Sequence, residues 1–143
     1  MTPLEQVQHL YSTYLEKALE VEKKTPFAAG LFGMGKKASD DPCHDQFIQD
    51  LTALMAQFRE ESVESAALRE ALSYIFQAPA QHQEPASVYW MLIAAHSTTP
   101  EIIPLLNRED AAALYAQYDS AYKRRERMPV QTQVIKQLGK AMK

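Results

Sequence analysis

An all-α fold follows from three observations: a single compact domain of six to seven helices in an irregular array or bundle, packed mostly antiparallel. Apolar residues recur at three- and four-residue steps along most of the chain, the period of a helix with one buried face. No apolar–polar alternation of strand length occurs, and no Asn-Gly or Asp-Gly pair offers a hairpin turn. Glycine, which costs a helix about 1 kcal/mol relative to alanine, occurs only four times, while Ala, Leu, Gln and Glu abound. The 143 residues fit one domain, 1–143. A chain of this length buries roughly 70% of its unfolded surface, so a core forms without staples.

Pro3 suits a first helical position. Leu4, Val7, Tyr11, Tyr14, Ala18 and Val21 share one face of a helix reaching about Lys23, which Leu10, Leu15 and Leu19 widen. Thr25-Pro26 breaks this pattern, and 25–40 reads as a long connector holding apolar residues and three of the glycines. Asp41 and Pro42 restart a helix as cap and first residue. Asp40 and Asp45 add negative charge at the positive end of its dipole. Phe47, Leu51, Leu54, Met55 and Phe58 form its stripe.

Ser62 is expected to cap a third helix, with Val63, Ala67, Ala71, Leu72, Ile75 and Phe76 inward. Residues 77–85, "QAPAQHQEP", read as a loop because of Pro79 and Pro85. Pro85 then opens a fourth helix to about His96, apolar nearly all round and so expected to be the central buried one. "STTPEIIPLLN" suggests a cap and a short helix at Pro100, limited by Pro104. Asn107 and Asp110 resemble a capping box that opens a helix carrying Leu114, Tyr115, Tyr118, Ala121 and Tyr122. After Met128-Pro129, Val130, Val134, Ile135 and Leu138 mark one face of a last helix, with Gly139 near its end. No fixed-period repeat survives counting, which argues against a solenoid.

The net charge of −3 is unevenly spread. From Lys123 to Lys143 there are seven basic residues and one acidic one, Glu126, while the preceding chain holds eight basic and seventeen acidic residues. The basic C-terminal segment 123–143 is expected to complement an acidic face of its own fold or of a second copy. Nucleic acid is disfavoured as a partner, because "KRRER" has no interleaved aromatics and the whole chain is acidic. The most apolar run, Val88 to Ala95, is about half of the roughly 18 residues a membrane span needs, so no membrane contact is expected. The N-terminal stretch has no basic region followed by an apolar one, so no secretory signal is expected and the cytoplasm is the default location. A single cysteine forms no internal disulfide.

The densest chemistry lies in "GLFGMGKKASDDPCHDQF", 30–47. Its "GLFGMGKK" imitates a phosphate loop, but Lys37 replaces the metal-binding hydroxyl and no strand precedes it. Gly33, Gly35, Lys36 and Lys37 remain candidates for holding a small anion. Phe27, Leu31, Phe32 and Met34 are too apolar for a plain linker. They are expected to pack back on the core or to bind a partner. Asp40, Asp41, Cys43, His44 and Asp45 carry ligand atoms but lack the converging set a metal requires, so no metal and no cofactor are expected. Cys43, in a first helical turn, is a candidate nucleophile, and with His44 and His96 it makes up the candidate catalytic residues. Neighbouring positions on a helix do not face each other, so His44 is a poor base for it and His9 or His96 is the candidate base. Tyr115, Tyr118 and Tyr122 are candidates for a partner surface.

The residues therefore favour a non-enzymatic binding or interaction module whose partner is another protein or a second copy. The alternative is an enzyme or a binder of a small ligand, anion or metal, using 30–45 with Cys43 and His44. A weaker alternative is nucleic-acid contact through the basic segment.

Overall fold

The computed structural model describes residues 1–24 and 42–143. Among the described residues six α-helices form: α1 (Pro3–Lys24), α2 (Pro42–Glu60), α3 (Ser65–Gln81), α4 (Ala86–Ala94), α5 (Arg108–Ala121) and α6 (Pro129–Ala141). The fold is all-α, with no strand among the described residues. None of the described helices is long and apolar enough to cross a membrane. The expected stripes are buried in large part, whereas Leu19, expected to widen the stripe of α1, is exposed. Val7, Tyr11, Tyr14 and Ala18 of α1 meet Phe47, Leu51, Met55 and Phe58 of α2 and the inner face of α3 in one core.

Cross-contacts fix the directions of the helices. Tyr14 of α1 meets Phe47 and Asp50, whereas Gln6 lies near Leu54 and Gln57, so α1 and α2 are antiparallel. Between α3 and α5, Ser65 bonds Asp110, Ser73 bonds Gln117 and Tyr122 bonds the Phe76 carbonyl. Both numbers rise together, so α3 and α5 run parallel. Tyr115 lies against Gly139, and Asp119 pairs with Arg127 ahead of α6, so α5 and α6 are antiparallel. The α1–α2 and α5–α6 pairs are thus antiparallel, and α3 packs against both α1 and α5. The central helix is α3, not α4 as expected from its apolar run. α3 packs on α1, α4 and α5, while α4 leaves Trp90 40% exposed.

Ser62 ends α2 and does not cap α3. Its φ of 54° is left-handed. Val63 N–H donates to the Phe58 carbonyl and Ser62 N–H to that of Arg59, the paired closure of a helix C-terminus. The position accepts serine only at a steric cost that glycine lacks.

Residues 77–81 are helix rather than loop, although Pro79 is buried inside α3. A proline cannot donate to the carbonyl four residues back, here that of Ile75. His96 supplies the missing donor, its Nε2 lying 3.2 Å from the Ile75 oxygen. The Tyr122 hydroxyl donates to the next carbonyl, that of Phe76. A proline that breaks helices by its local chemistry is therefore accommodated by groups from two other segments.

The same logic shapes the end of α4. A 3₁₀ helix, Ala95–Glu101, follows it directly. Ser97, Thr98 and Thr99 each turn a hydroxyl back onto the carbonyl three residues earlier, at 2.7, 2.9 and 2.8 Å. Such back-bonding competes with the α-helical ladder and tightens the turn. Pro100 cannot serve the His96 carbonyl, and Thr99 does so instead. A second 3₁₀ turn, Ile103–Leu105, leads to Asn107. The 95–101 segment packs against both α2 and α6, and Arg59 of α2 pairs with Glu101 at 2.5 Å.

The Asn107 cap forms as expected, its side chain accepting from Asp110 N–H at 2.8 Å. The Asp110 carboxylate does not return to Asn107. It accepts from Ser65 Oγ at 2.5 Å and from Arg69 at 3.2 Å, and Ser65 Oγ accepts from Asn107 N–H. Three hydrogen bonds thus fasten the start of α5 to the start of α3.

Two outcomes test these assignments. Ser62→Gly should raise unfolding free energy by about 0.5–1 kcal/mol in urea titration; a loss of stability would remove the left-handed assignment. His96→Phe should cost on the order of 2–4 kcal/mol, because the Ile75 carbonyl and the Tyr118 hydroxyl both lose a partner. In a Pro79→Ala background the cost should fall by about 1 kcal/mol, since residue 79 then donates to Ile75. Strict additivity of the two changes would show that the proline and the histidine are not coupled.

Candidate functional site

The sequence candidates Gly33, Gly35, Lys36, Lys37, Phe27, Leu31, Phe32 and Met34, with Asp40 and Asp41, lie outside the described residues. Cys43 and His44 are described, in the first turn of α2. Cys43 is half-buried, and its thiol donates to the Tyr14 carbonyl at 3.7 Å. His44 Nδ1 lies 3.5 Å from the Asp45 carboxylate. The Tyr14 hydroxyl donates to Asp50, which also accepts from Gln46 at 2.8 Å. Desolvation first, and the Asp50 carboxylate second, push the Tyr14 pKa up to about 12. This cluster stitches α1 to α2. Among the described residues no three His, Cys, Asp or Glu side chains gather to hold a metal.

His96, Tyr118 and Tyr122 come together, but below the surface. His96 is fully buried, and its ring meets Phe76, Tyr118 and Tyr122 at centroid distances of 5.3, 5.6 and 5.7 Å. The Ile75 carbonyl only accepts, so Nε2 carries the proton. Nδ1, 2.9 Å from the Tyr118 oxygen, then accepts from that hydroxyl. Burial lowers the His96 pKa to about 4, against the rise from the Ile75 bond. Burial likewise pushes the Tyr118 and Tyr122 hydroxyls up. The neutral imidazole is therefore the form the core houses. With both nitrogens committed inside the core, His96 is no base for Cys43.

The concave surface lies elsewhere. Between α5 and α6 runs a groove of about 750 Å³. Its walls hold five cations, Arg124, Arg127, Lys136, Lys140 and Lys143, against one carboxylate, Asp119. Tyr115, Ile135 and Met142 give it an apolar floor, where the Tyr115 ring lies against Gly139. Arg127 donates to Asp119 at 2.5 Å and to the Tyr122 carbonyl at 2.9 Å. Among the described residues, ion pairing of the basic segment is confined to that one arginine. Among the described residues, the expected pairing of the segment with an acidic group of its own fold is made by Arg127.

Compared with protein families, curated proteins and solved structures, the chain shows no significant match. The groove must be read from its own chemistry.

A short 3₁₀ turn, Arg124–Glu126, separates the groove from a second hollow. Arg124 and Arg127 face the groove, while Lys123, Glu126 and Met128 line the hollow on the other side. This hollow, about 290 Å³, has walls of Phe76, Tyr89, Trp90 and Tyr122.

Of the three tyrosines singled out from sequence, Tyr115 floors the groove, Tyr122 lines the hollow and Tyr118 is core. Sequence reasoning misses the groove as a site, although one signal exists. Lys136, Lys140 and Lys143 stand at i, i+4 and i+7, one helical face. Such a face also suits a helix C-terminus, whose dipole favours cations, so the spacing alone does not mark a groove.

The His96 shift carries a pH dependence. An unfolded histidine titrates near 6.5 and the folded one near 4. Between these values the unfolded chain binds more protons, so stability rises with pH across the window. Acidification from pH 6.5 to 4 should remove on the order of 3 kcal/mol, read as a falling urea midpoint. His96→Phe should flatten that fall; an unchanged slope would mean the ring is not held neutral.

Proposed function

We propose that this protein is a non-enzymatic interaction module that receives an acidic segment of another protein in the α5–α6 groove. The carrying observation is the balance of the groove, five cations to one carboxylate over an apolar floor. An amphipathic helix with an apolar face and acidic flanks complements both features at once. The stretch from Thr132 to Lys143 offers it about 17 Å of length, or three helical turns. Nucleic acid is served less well, because phosphates make no use of Tyr115, Ile135 and Met142, and the chain as a whole is negative.

A fluorescent amphipathic peptide of Glu and Leu tests the proposal, beside a single-stranded and a double-stranded oligonucleotide. The peptide should bind, and more weakly as salt rises. Lys136→Glu with Lys140→Glu should weaken it at least roughly tenfold while leaving the melting temperature near that of the parent, since both lysines are exposed. Tighter binding of either oligonucleotide, or peptide affinity indifferent to the double reversal, would overturn the assignment.

A further inference from the structure

The hollow beside Trp90 has a construction that the groove alone does not explain. Trp90 is 40% exposed, the one aromatic among the exposed large apolar residues described. It is not loose: Tyr89 packs against it edge to face at 5.2 Å and 71°. The opposite wall is set by Phe76, itself buried and packed edge to face on Tyr118 at 4.9 Å, and by Tyr122, tied through its hydroxyl to the Phe76 carbonyl. Four aromatic side chains therefore frame a space whose shape exists before any partner arrives. Its 290 Å³ falls just under the roughly 300–1,000 Å³ of cofactor and ligand pockets, and suits one ring better than a whole cofactor.

Position supplies the second half of the argument. Residues 123–128 border both cavities: Lys123, Glu126 and Met128 line the hollow, and Arg124 and Arg127 line the groove. A chain crossing from one to the other therefore meets three lining cations and one carboxylate, Glu126. Interfaces concentrate their energy in a few aromatic anchors seated in preformed pockets, ringed by polar contacts.

We infer that the Trp90 hollow is an anchor subsite for one aromatic side chain of the same acidic partner whose flanking carboxylates lie along the α5–α6 groove. This rests on the groove reading above and adds the partner's required residue. The anchor ring meets Trp90 and Tyr122 edge-on or offset, the arrangements aromatic quadrupoles favour. Met128 closes the side with a thioether suited to a ring edge.

Trp90 is the only tryptophan, so its emission reports this subsite alone. Two versions of the Glu/Leu peptide are compared, one with a single Phe and one with Ala in its place, with the tryptophan excited selectively. The Phe peptide should shift Trp90 emission and bind roughly tenfold more tightly than the Ala peptide. Trp90→Ala should erase that difference while leaving the affinity for the Ala peptide unchanged. Ala121→Gln, at an exposed position on the rim, should fill the hollow and do the same without removing any packing. Equal affinities of the two peptides, with Lys136→Glu and Lys140→Glu still weakening both, would overturn the anchor and leave the groove standing. Failure of both peptides to bind the parent protein would overturn the groove reading and the anchor with it.

Discussion

The hydrogen bond from His96 to the Ile75 carbonyl is the joint on which this fold turns. Pro79 gives up a donor in the central helix, inside the core, where an orphan carbonyl costs a large part of a small domain's stability. One imidazole repairs it from another segment and in doing so fixes its own state. The proton must sit on Nε2, so Nδ1 must accept, and Tyr118 must donate to it. Tyr122 then serves the next carbonyl along α3. A single missing N–H thus draws the 95–101 segment and the end of α5 onto the same stretch of helix.

That joint fixes one end of α5, and the Ser65–Asp110–Asn107 network fixes the other. Between them Ser73 reaches Gln117 at 3.1 Å. Three polar fasteners along one helix pair set a parallel register that apolar contacts, which are non-directional, leave loose. The direction reverses again at 123–128, and α6 returns along α5. Its inner residues Val134, Ile135 and Leu138 join the core, and its lysines are left facing the groove. The cationic groove is thus a geometric consequence of how α5 is held, with charge added on the faces that core packing does not use.

Most of the fold is legible in the sequence because helical amphipathicity is a local signal. Stripes such as Tyr11–Tyr14–Ala18 and Phe47–Leu51–Met55–Phe58 need no partner to be recognised. The misreadings share one cause. Ser62 has the chemistry of a cap and stands at a C-terminus, because the backbone turn it completes is defined by Phe58 and Arg59. Pro79 reads as a break and lies within a helix, because its compensation comes from residues 96 and 122. The apolar run at 88–95 reads as the central helix, yet Trp90 emerges from it, because which face meets a neighbour depends on where the neighbours are.

By itself, the sequence determined the all-α class, the principal helices and their buried faces, the Asn107 cap and the concentration of positive charge from Lys123 onward. These are properties of spacing and residue type within a few turns of chain. Only the tertiary structure decided that α3 is central, that His96 is a neutral donor rather than a base, and that the basic segment borders a groove. The His96 state and the α5–α6 groove depend on contacts such as Ile75–His96, His96–Tyr118 and Tyr115–Gly139, each distant in sequence. Local periodicity carries no information about which of two equally good faces a distant helix will cover.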